Sequence, residues 1–183
     1  MKVNSIFING KLELIKDRWF VKAFRSSGAY DTIPVFSLNP NIELKPNCAC
    51  SIKGEIVSRY YLDNNNVKHL SILVGIKNIL YSDVEFCNSN FVNLYGTIVK
   101  DVICRQTPKG KIISEFVIKI KDDACGIIPC IAWGSLADWI SSLNKGTKIY
   151  VYGRLQSRNY TKMVDGKSVV KTTYEVSANS IGS

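Results

Sequence analysis

Apolar and polar residues alternate in short runs along most of the chain, with the period of two that is typical of strands with one buried face. Clusters of Gly, Pro, Asn and Asp separate these runs, as expected of turns. In the first half the pattern predicts strands over residues 6–15, 19–25, 32–38, 48–61 and 67–76. In the second half it predicts strands over residues 91–99, 111–121, 127–133, 148–160 and 169–176.

One segment has helical periodicity instead. Leu136, Ile140 and Leu143 recur at intervals of three and four residues, which predicts a helix over residues 135–143. We expect Trp139, within this helix, to lie in the core. The corresponding segment of the first half contains two prolines and can hardly hold a full helix.

The two halves repeat one another. Gly10, the pair Ile33-Pro34 and the run Gly54-Glu55-Ile56-Val57-Ser58-Arg59-Tyr60-Tyr61 recur as Gly96, Ile128-Pro129 and Gly153-Arg154-Leu155-Gln156-Ser157-Arg158-Asn159-Tyr160. A repeat of about 90 residues is too long for a solenoid unit, so each copy should bury its own core. We therefore predict a domain over residues 1–80, a linker over 81–90 and a second domain over 91–183.

Five strands with a helix between the third and fourth is the element order of an OB-fold, a Greek-key barrel that binds oligonucleotides or oligosaccharides on one face. The predicted fold class is all-β, with two tandem OB-folds and a short helix between strands 3 and 4 of the second. Pro34 and Pro129 lack a backbone donor, so each should lie at a strand edge or a bulge.

The net charge and the composition limit the classes of function that this chain can have. The chain has 183 residues and a net charge of +9. Lys and Arg exceed Asp and Glu by three in residues 1–88 and by six in residues 89–183, which is compatible with a polyanionic partner. The six cysteines form no C-x-x-C pair and His69 is the single histidine, so we predict reduced thiols, no metal and no cofactor. No nucleophile, phosphate loop or membrane span is recognisable, which predicts a protein that is not an enzyme and makes no membrane contact.

The fourth strand of the second half carries the candidate chemistry. Alternation places its aromatic and basic residues on one face, provided that Gly153 does not bulge the strand: Tyr150, Tyr152, Arg154, Gln156, Arg158 and Tyr160. Rings stack on bases and arginine neutralises phosphate, so this face suits a single strand, although a solvated outer strand would look similar. Composition alone favours a core position for Trp133 and plain surface positions for Lys109 and Lys111.

The second half resembles the bacterial single-stranded DNA-binding protein family. The resemblance rests on Gly96, Arg105, Thr107-Pro108-Lys109-Gly110, Glu115-Phe116, Ala132-Trp133-Gly134-Ser135-Leu136-Ala137, Lys145-Gly146 and Val151-Tyr152-Gly153-Arg154-Leu155-Gln156-Ser157-Arg158. The whole chain looks like the tandem proteins of this kind found in clostridia and related bacteria. Two departures are that Ile127 stands where the family usually has a Trp, and that no acidic carboxyl-terminal tail for recruiting repair enzymes is expected.

The resemblance implies roles for individual residues. It assigns base stacking to Trp133 and Tyr160, and backbone contacts to Arg154 and Arg158. We also expect stacking by Tyr152 and Tyr150, from the shared face of the strand, and backbone contacts by Arg105, Lys109, Lys111 and Lys162. The first copy keeps only Arg59 and Tyr61, with Lys53 opposite Tyr152, whereas Leu38 replaces the stacking ring and Glu55 inverts a charge. We therefore expect the first domain to be auxiliary, with a weaker DNA-binding site formed by Arg59, Tyr61 and Lys53.

We expect sequence-tolerant binding of single-stranded DNA in replication, recombination or repair, in the cytoplasm with the bacterial nucleoid. By resemblance, a homodimer would provide four OB-folds. The alternative is an OB-fold protein-interaction subunit of a replication or conjugation assembly, with vestigial nucleic-acid binding.

Overall fold

The computed structural model describes residues 3–63, 65–84, 86–120, 126–164 and 167–182, without the side chains of residues 162, 164 and 167. The first half contains β1 (Asn4–Ile15), β2 (Arg18–Phe24), β3 (Tyr30–Ser37), β4 (Ala49–Leu62) and β5 (Lys68–Ser82). The second half contains β6 (Asn90–Ile98), β7 (Ile103–Gln106), β8 (Ile112–Ile120), β9 (Ile127–Trp133), α1 (Ser135–Ser141), β10 (Lys148–Val164) and β11 (Lys167–Gly182).

Each half closes its strands into a barrel. In the first half, β1 pairs with β2 and β4, β2 pairs with β3, and β5 closes the ring by pairing with β3 in parallel and β4 in antiparallel orientation. In the second half β6, β8, β9, β11 and β10 repeat this order, again with one parallel pair. The predicted all-β class with two OB-folds is confirmed.

The two barrels share one continuous sheet through an antiparallel pairing of β1 with β6, in which Ile6 lies opposite Val92. Because Gly10 corresponds to Gly96 in the repeat, Ile6 and Val92 are themselves equivalent positions. An approximate twofold axis therefore passes through this pair and relates the barrels.

An asparagine at the start of each half extends this symmetry. Asn90 donates from Nδ2 to the carbonyl of Leu155 (2.7 Å) and accepts at Oδ1 from the Leu155 N–H (3.1 Å). Asn4 makes the same two contacts with Ile56, at 2.8 and 3.0 Å. Each carboxamide thus takes the place of a peptide unit at the point where β1 diverges from β4 and where β6 diverges from β10.

Gly153 allows β10 to pass close to β11. A Cβ at this position would lie 2.2 Å from the carbonyl oxygen of Ser177, and a Cβ at Gly54 would lie 2.2 Å from that of Gly75. The register shift beside Gly153 leaves the extra residue, Asn179, on β11 and not on β10. The side chains of β10 therefore continue to alternate between its two faces past Gly153. The prediction of a single aromatic and basic face depends on this.

The structure differs from the sequence prediction in three respects. It contains β7, a short and fully exposed edge strand without the apolar alternation that would reveal it. β5 and β11 are longer than expected, mainly because their carboxyl-terminal ends continue to pair with the first residues of β4 and β10 beyond a register shift in each ladder. The core assignment of Trp139 was wrong: the short helix buries Ala137 and Ile140, and the Trp139 side chain, on another face, is 38% exposed.

The connection between the halves lies close to the predicted linker. β5 ends at Ser82 and β6 begins at Asn90. The division into two folding units at residues 81–90 stays a prediction. In both barrels the parallel ladder begins one residue after the repeated proline, at Val35 and Cys130, so each proline lies outside that ladder.

Candidate nucleic-acid interface

Trp133 ends β9 on the outside of the second barrel. Even-numbered β9 residues such as Ile128 and Ala132 are buried, whereas the Trp133 side chain is 42% exposed. Gly134 follows with a positive φ of 57°, which turns the chain into α1. The indole is thus held at the rim of the barrel with part of its surface open to a ligand.

Basic residues of the β7–β8 hairpin lie beside this ring. Ile113 pairs with Arg105 on one side and with Trp133 on the other, so three neighbouring strands bring these residues into one row. The exposed Lys109 and Lys111 lie just beyond the row, in a turn closed by a hydrogen bond from the Thr107 N–H to the Lys111 carbonyl (2.8 Å). We call this surface the Trp133 face.

An arginine–glutamate network crosses the Trp133 face, and comprises Arg105, Glu115, Arg158, Glu175, Gln156 and Arg154. Arg105 contacts both Glu115 oxygens, at 2.9 and 3.2 Å, and Glu115 raises the pKa of Arg105 by this hydrogen bond and its charge. Arg158 lies 3.3 Å from Glu175 and 3.9 Å from Glu115.

The other end of the network is more enclosed. Gln156 is buried, donates to Glu175 (3.0 Å) and accepts from Arg154 (3.1 Å). Burial, reinforced by the charge of Arg25, lowers the pKa of Arg154. Arg154 is half-buried, whereas Arg158 on the same face of β10 is exposed.

A polar groove of about 740 Å³ lies between the two barrels. It contains the equivalent prolines Pro34 and Pro129 and the equivalent tyrosines Tyr61 and Tyr160, so it lies on the approximate twofold axis. We call it the axial groove. Its basic side chains are Arg18, Lys68 and Lys171.

His69 covers one side of Tyr61 within the axial groove. The two rings stack with centroids 5.3 Å apart, and His69 Nε2 lies 2.7 Å from Asp63 Oδ2. The hydrogen bond with His69 lowers the pKa of Asp63. The Tyr61 ring is thereby fixed in orientation while more than half of its surface stays exposed.

Tyr150, Tyr152 and Lys53 lie elsewhere, on the outer surface of the shared sheet. Tyr150 packs on Tyr95 of β6 (centroids 4.5 Å apart) and stacks with Tyr152. Tyr152 and Lys53 line a depression that also contains Phe7 and Phe91. These residues define the central face: Phe7, Lys53, Phe91, Tyr95, Tyr150 and Tyr152.

The face of the first barrel that corresponds to the Trp133 face has a different composition. Leu38, opposite Trp133 in the repeat, is exposed and packs over Gly75. Arg59 lies over the ring of Phe36, with 5.8 Å between the guanidinium carbon and the ring centroid. This face therefore keeps an aromatic residue and an arginine but lacks an indole.

Comparison with known proteins assigns the chain to a family. The family model described as "Single-strand binding protein family" matches residues 89–183, just over half of the chain. This chain belongs to the single-strand binding protein family.

Individual relatives agree with this assignment. The single-stranded DNA-binding protein of Bacillus cereus is 35% identical over 101 residues, which cover 50% of this chain and 58% of the relative. Single-stranded DNA-binding protein A of Bacillus subtilis is 33% identical over 101 residues, covering 50% and 57%. The matched segment thus spans a little over half the length of these relatives.

A solved structure of another protein shares the fold of the whole chain. The crystal structure of the wild-type single-stranded DNA binding protein from Thermus aquaticus superposes with a TM-score of 0.73 at 20% identity. The match covers 99% of this chain and 92% of that one. At this identity the match shows only that the two proteins share a fold. It extends over the first barrel, which the family model does not match.

The structure distributes the predicted site residues of this family member over separate surfaces. Trp133, Arg105, Arg158, Lys109 and Lys111 share the Trp133 face, and Tyr160 lies with Tyr61 in the axial groove. The Lys162 side chain is outside the described residues.

Sequence reasoning missed the basic residues of the axial groove, Arg18, Lys68 and Lys171, because no local motif marks them. Only Lys171 has a signal in the repeat, since it corresponds to His69 of β5 through the paired tyrosines. In the described part of the chain, no group of three or more His, Cys, Asp or Glu side chains could hold a metal. None of the described helices is long and apolar enough to span a membrane.

Proposed function

We propose that this chain binds single-stranded DNA with little sequence preference. The observation that carries the proposal is the axial groove, in which the equivalent tyrosines Tyr61 and Tyr160 lie among lysines and an arginine. Stacking of bases on rings contributes about 1–3 kcal/mol per base and does not depend on base identity. Cations along the groove neutralise the phosphates that connect the stacked bases.

The proposed path joins the groove to the Trp133 face. Tyr160 follows Arg158 by two residues on the same face of β10, a separation of about 7 Å along a strand. A strand could therefore stack on Trp133, pass Arg105, Lys109, Lys111 and Arg158, and enter the groove between Tyr160 and Tyr61. Arg154 and Lys162 stay predicted backbone contacts, and Arg59 a weaker contact on the first barrel.

We assign the central face to a second copy of the chain. Phe91 is 63% exposed and Tyr152 is 45% exposed, in the middle of the shared sheet. Because this face lies on the approximate twofold axis, a second copy can cover it symmetrically and form a homodimer with four OB-folds. Tyr150, Tyr152 and Lys53 would then support assembly, in place of the stacking and backbone roles predicted from sequence.

This role would place the chain in the cytoplasm with the nucleoid, where single strands form during replication, recombination and repair. A fluorescence titration of the full chain with oligo-dT and with duplex DNA, at several salt concentrations, tests the binding proposal. We expect tighter binding to oligo-dT, and affinity that falls as salt rises. Equal affinity for both forms, or affinity insensitive to salt, would favour a protein-interaction subunit instead.

Assembly has a separate test. Analytical ultracentrifugation of the wild type should give twice the mass of the chain, and Phe91→Glu should give the monomer because it places a charge at the interface. A wild-type monomer at micromolar concentration would contradict the assignment of the central face without affecting the binding proposal.

A further inference from the structure

The two glutamates of the arginine–glutamate network differ in their surroundings. The Glu115 side chain, on β8, is 31% exposed and contacts Arg105 and Arg158. The Glu175 side chain, on β11, is 7% exposed and contacts Arg158 and Gln156. Both therefore neutralise arginines of the Trp133 face, but only Glu115 does so within reach of solvent.

This difference in burial predicts different behaviour when a phosphate approaches. An ion pair near the surface contributes little net free energy, so another anion can replace Glu115 beside Arg105 at small cost. A buried carboxylate that loses its partners is strongly destabilising, so Glu175 should keep its contacts. Glu115 is exchangeable, whereas Glu175 is fixed.

The first barrel shows that the fold does not need these carboxylates. Phe20 and Val117 pair with the equivalent prolines, which makes Arg18 the counterpart of Glu115. Gln156 pairs with Glu175 and its counterpart Val57 pairs with Leu73, so Leu73 is the counterpart of Glu175. The same strand arrangement is built there with a cation and an apolar residue.

We propose that Glu115 is an internal counter-ion that the phosphates of a bound strand displace, and that it thereby limits the affinity and the salt dependence of the Trp133 face. Glu175 is a positioning residue that holds Arg158 towards the strand. The proposal rests on the proposed function, because it assigns the ligand of the network as a phosphodiester backbone.

Glu115→Gln is the decisive variant because the amide keeps the shape and an oxygen acceptor for Arg105 while the charge is removed. A carboxylate that remains beside a bound phosphate repels it, and neutralising it should tighten binding about three- to tenfold at low salt. The slope of log K against log salt should become steeper by up to about 0.7, the value for one more neutralised phosphate of a single strand.

The assay is the anisotropy of fluorescein-labelled oligo-dT titrated with the full chain at several salt concentrations. Glu43→Gln is the matched control, since it makes the same change in net charge at an exposed position of the first barrel. It should change the affinity less than twofold. In an Arg105→Gln/Arg158→Gln background, the gain from Glu115→Gln should disappear.

Glu175→Gln tests the positioning role. It should weaken binding, and the loss should vanish in an Arg158→Gln background, which a general loss of stability would not reproduce. Weaker or unchanged binding by Glu115→Gln, or an equal gain in the Glu43→Gln control, would overturn the counter-ion role. If the wild type itself fails to bind oligo-dT, the proposed function fails, which is a separate result.

Discussion

Replacing Asp31 by alanine should destabilise the whole molecule, because this carboxylate connects the two barrels. Asp31 lies at the start of β3 and is fully buried. It accepts from Arg25 Nε at 2.7 Å and Nη2 at 2.5 Å, and from the N–H and hydroxyl of Ser157 on β10 at 2.8 and 3.2 Å. Asp31 also raises the pKa of Arg25 through the hydrogen bond between them.

The size of the effect follows from these contacts. Removing one member of a buried ion pair costs about 3–5 kcal/mol. The Arg25 side chain is 26% exposed and can be partly hydrated after the change, which places the cost near the lower limit. The N–H of Ser157 also loses its acceptor, at about 1 kcal/mol. We therefore expect a loss of about 3–4 kcal/mol in the free energy of unfolding.

Urea denaturation, followed by tryptophan fluorescence and by far-UV circular dichroism, measures this loss. Because Asp31 joins the halves, the two signals should coincide in the wild type and separate in Asp31→Ala as the barrels unfold independently. Asp101→Ala is the control, since it removes an exposed carboxylate, and should change stability by less than about 0.5 kcal/mol.

The reasoning would be refuted by an Asp31→Ala chain that unfolds within about 0.5 kcal/mol of the control with coincident transitions. Such a result would mean that the ladder between β1 and β6 alone holds the barrels together.

Three further predictions concern single residues. Trp133→Ala should weaken oligo-dT binding by about 1–3 kcal/mol in a fluorescence titration, while the melting temperature stays near that of the wild type because the ring is partly exposed. A variant that melts at a lower temperature yet binds normally in the cold would show that Trp133 belongs to the core and does not stack on a base. Asn90→Ala should cost about 2 kcal/mol in urea because one N–H and one carbonyl of β10 lose their partner, and an unchanged midpoint would contradict the peptide-replacement role. At pH 8, iodoacetamide should label the exposed Cys87 and Cys104 in the native protein but spare Cys50, because burial raises the pKa of that thiol to about 12, as peptide mass spectrometry can check. Since the unfolded chain loses this proton at lower pH than the folded one, the free energy of unfolding should fall as the pH rises towards 12.

The sequence by itself determined the strands and the barrel in each half. Alternation is a local property, because each strand encodes its buried face in its own residues, such as Ile149, Val151 and Leu155 on β10. The ordered motifs around Trp133 also indicated the family, which the comparisons confirm. Local patterns were insufficient where a segment is exposed throughout, as in β7, or where a short helix has one narrow buried stripe, as beside Trp139.

Only the tertiary structure decided how the two barrels meet. The contact between Asp31 and Ser157 joins residues 126 positions apart, and the groove between Tyr61 and Tyr160 exists only because β1 pairs with β6. The same docking places Tyr152 on the central face and Tyr160 in the axial groove, although both lie on the predicted face of β10. A strand specifies which side chains face outwards, but what stands opposite them depends on the closure and the pairing of the barrels, which no single strand encodes.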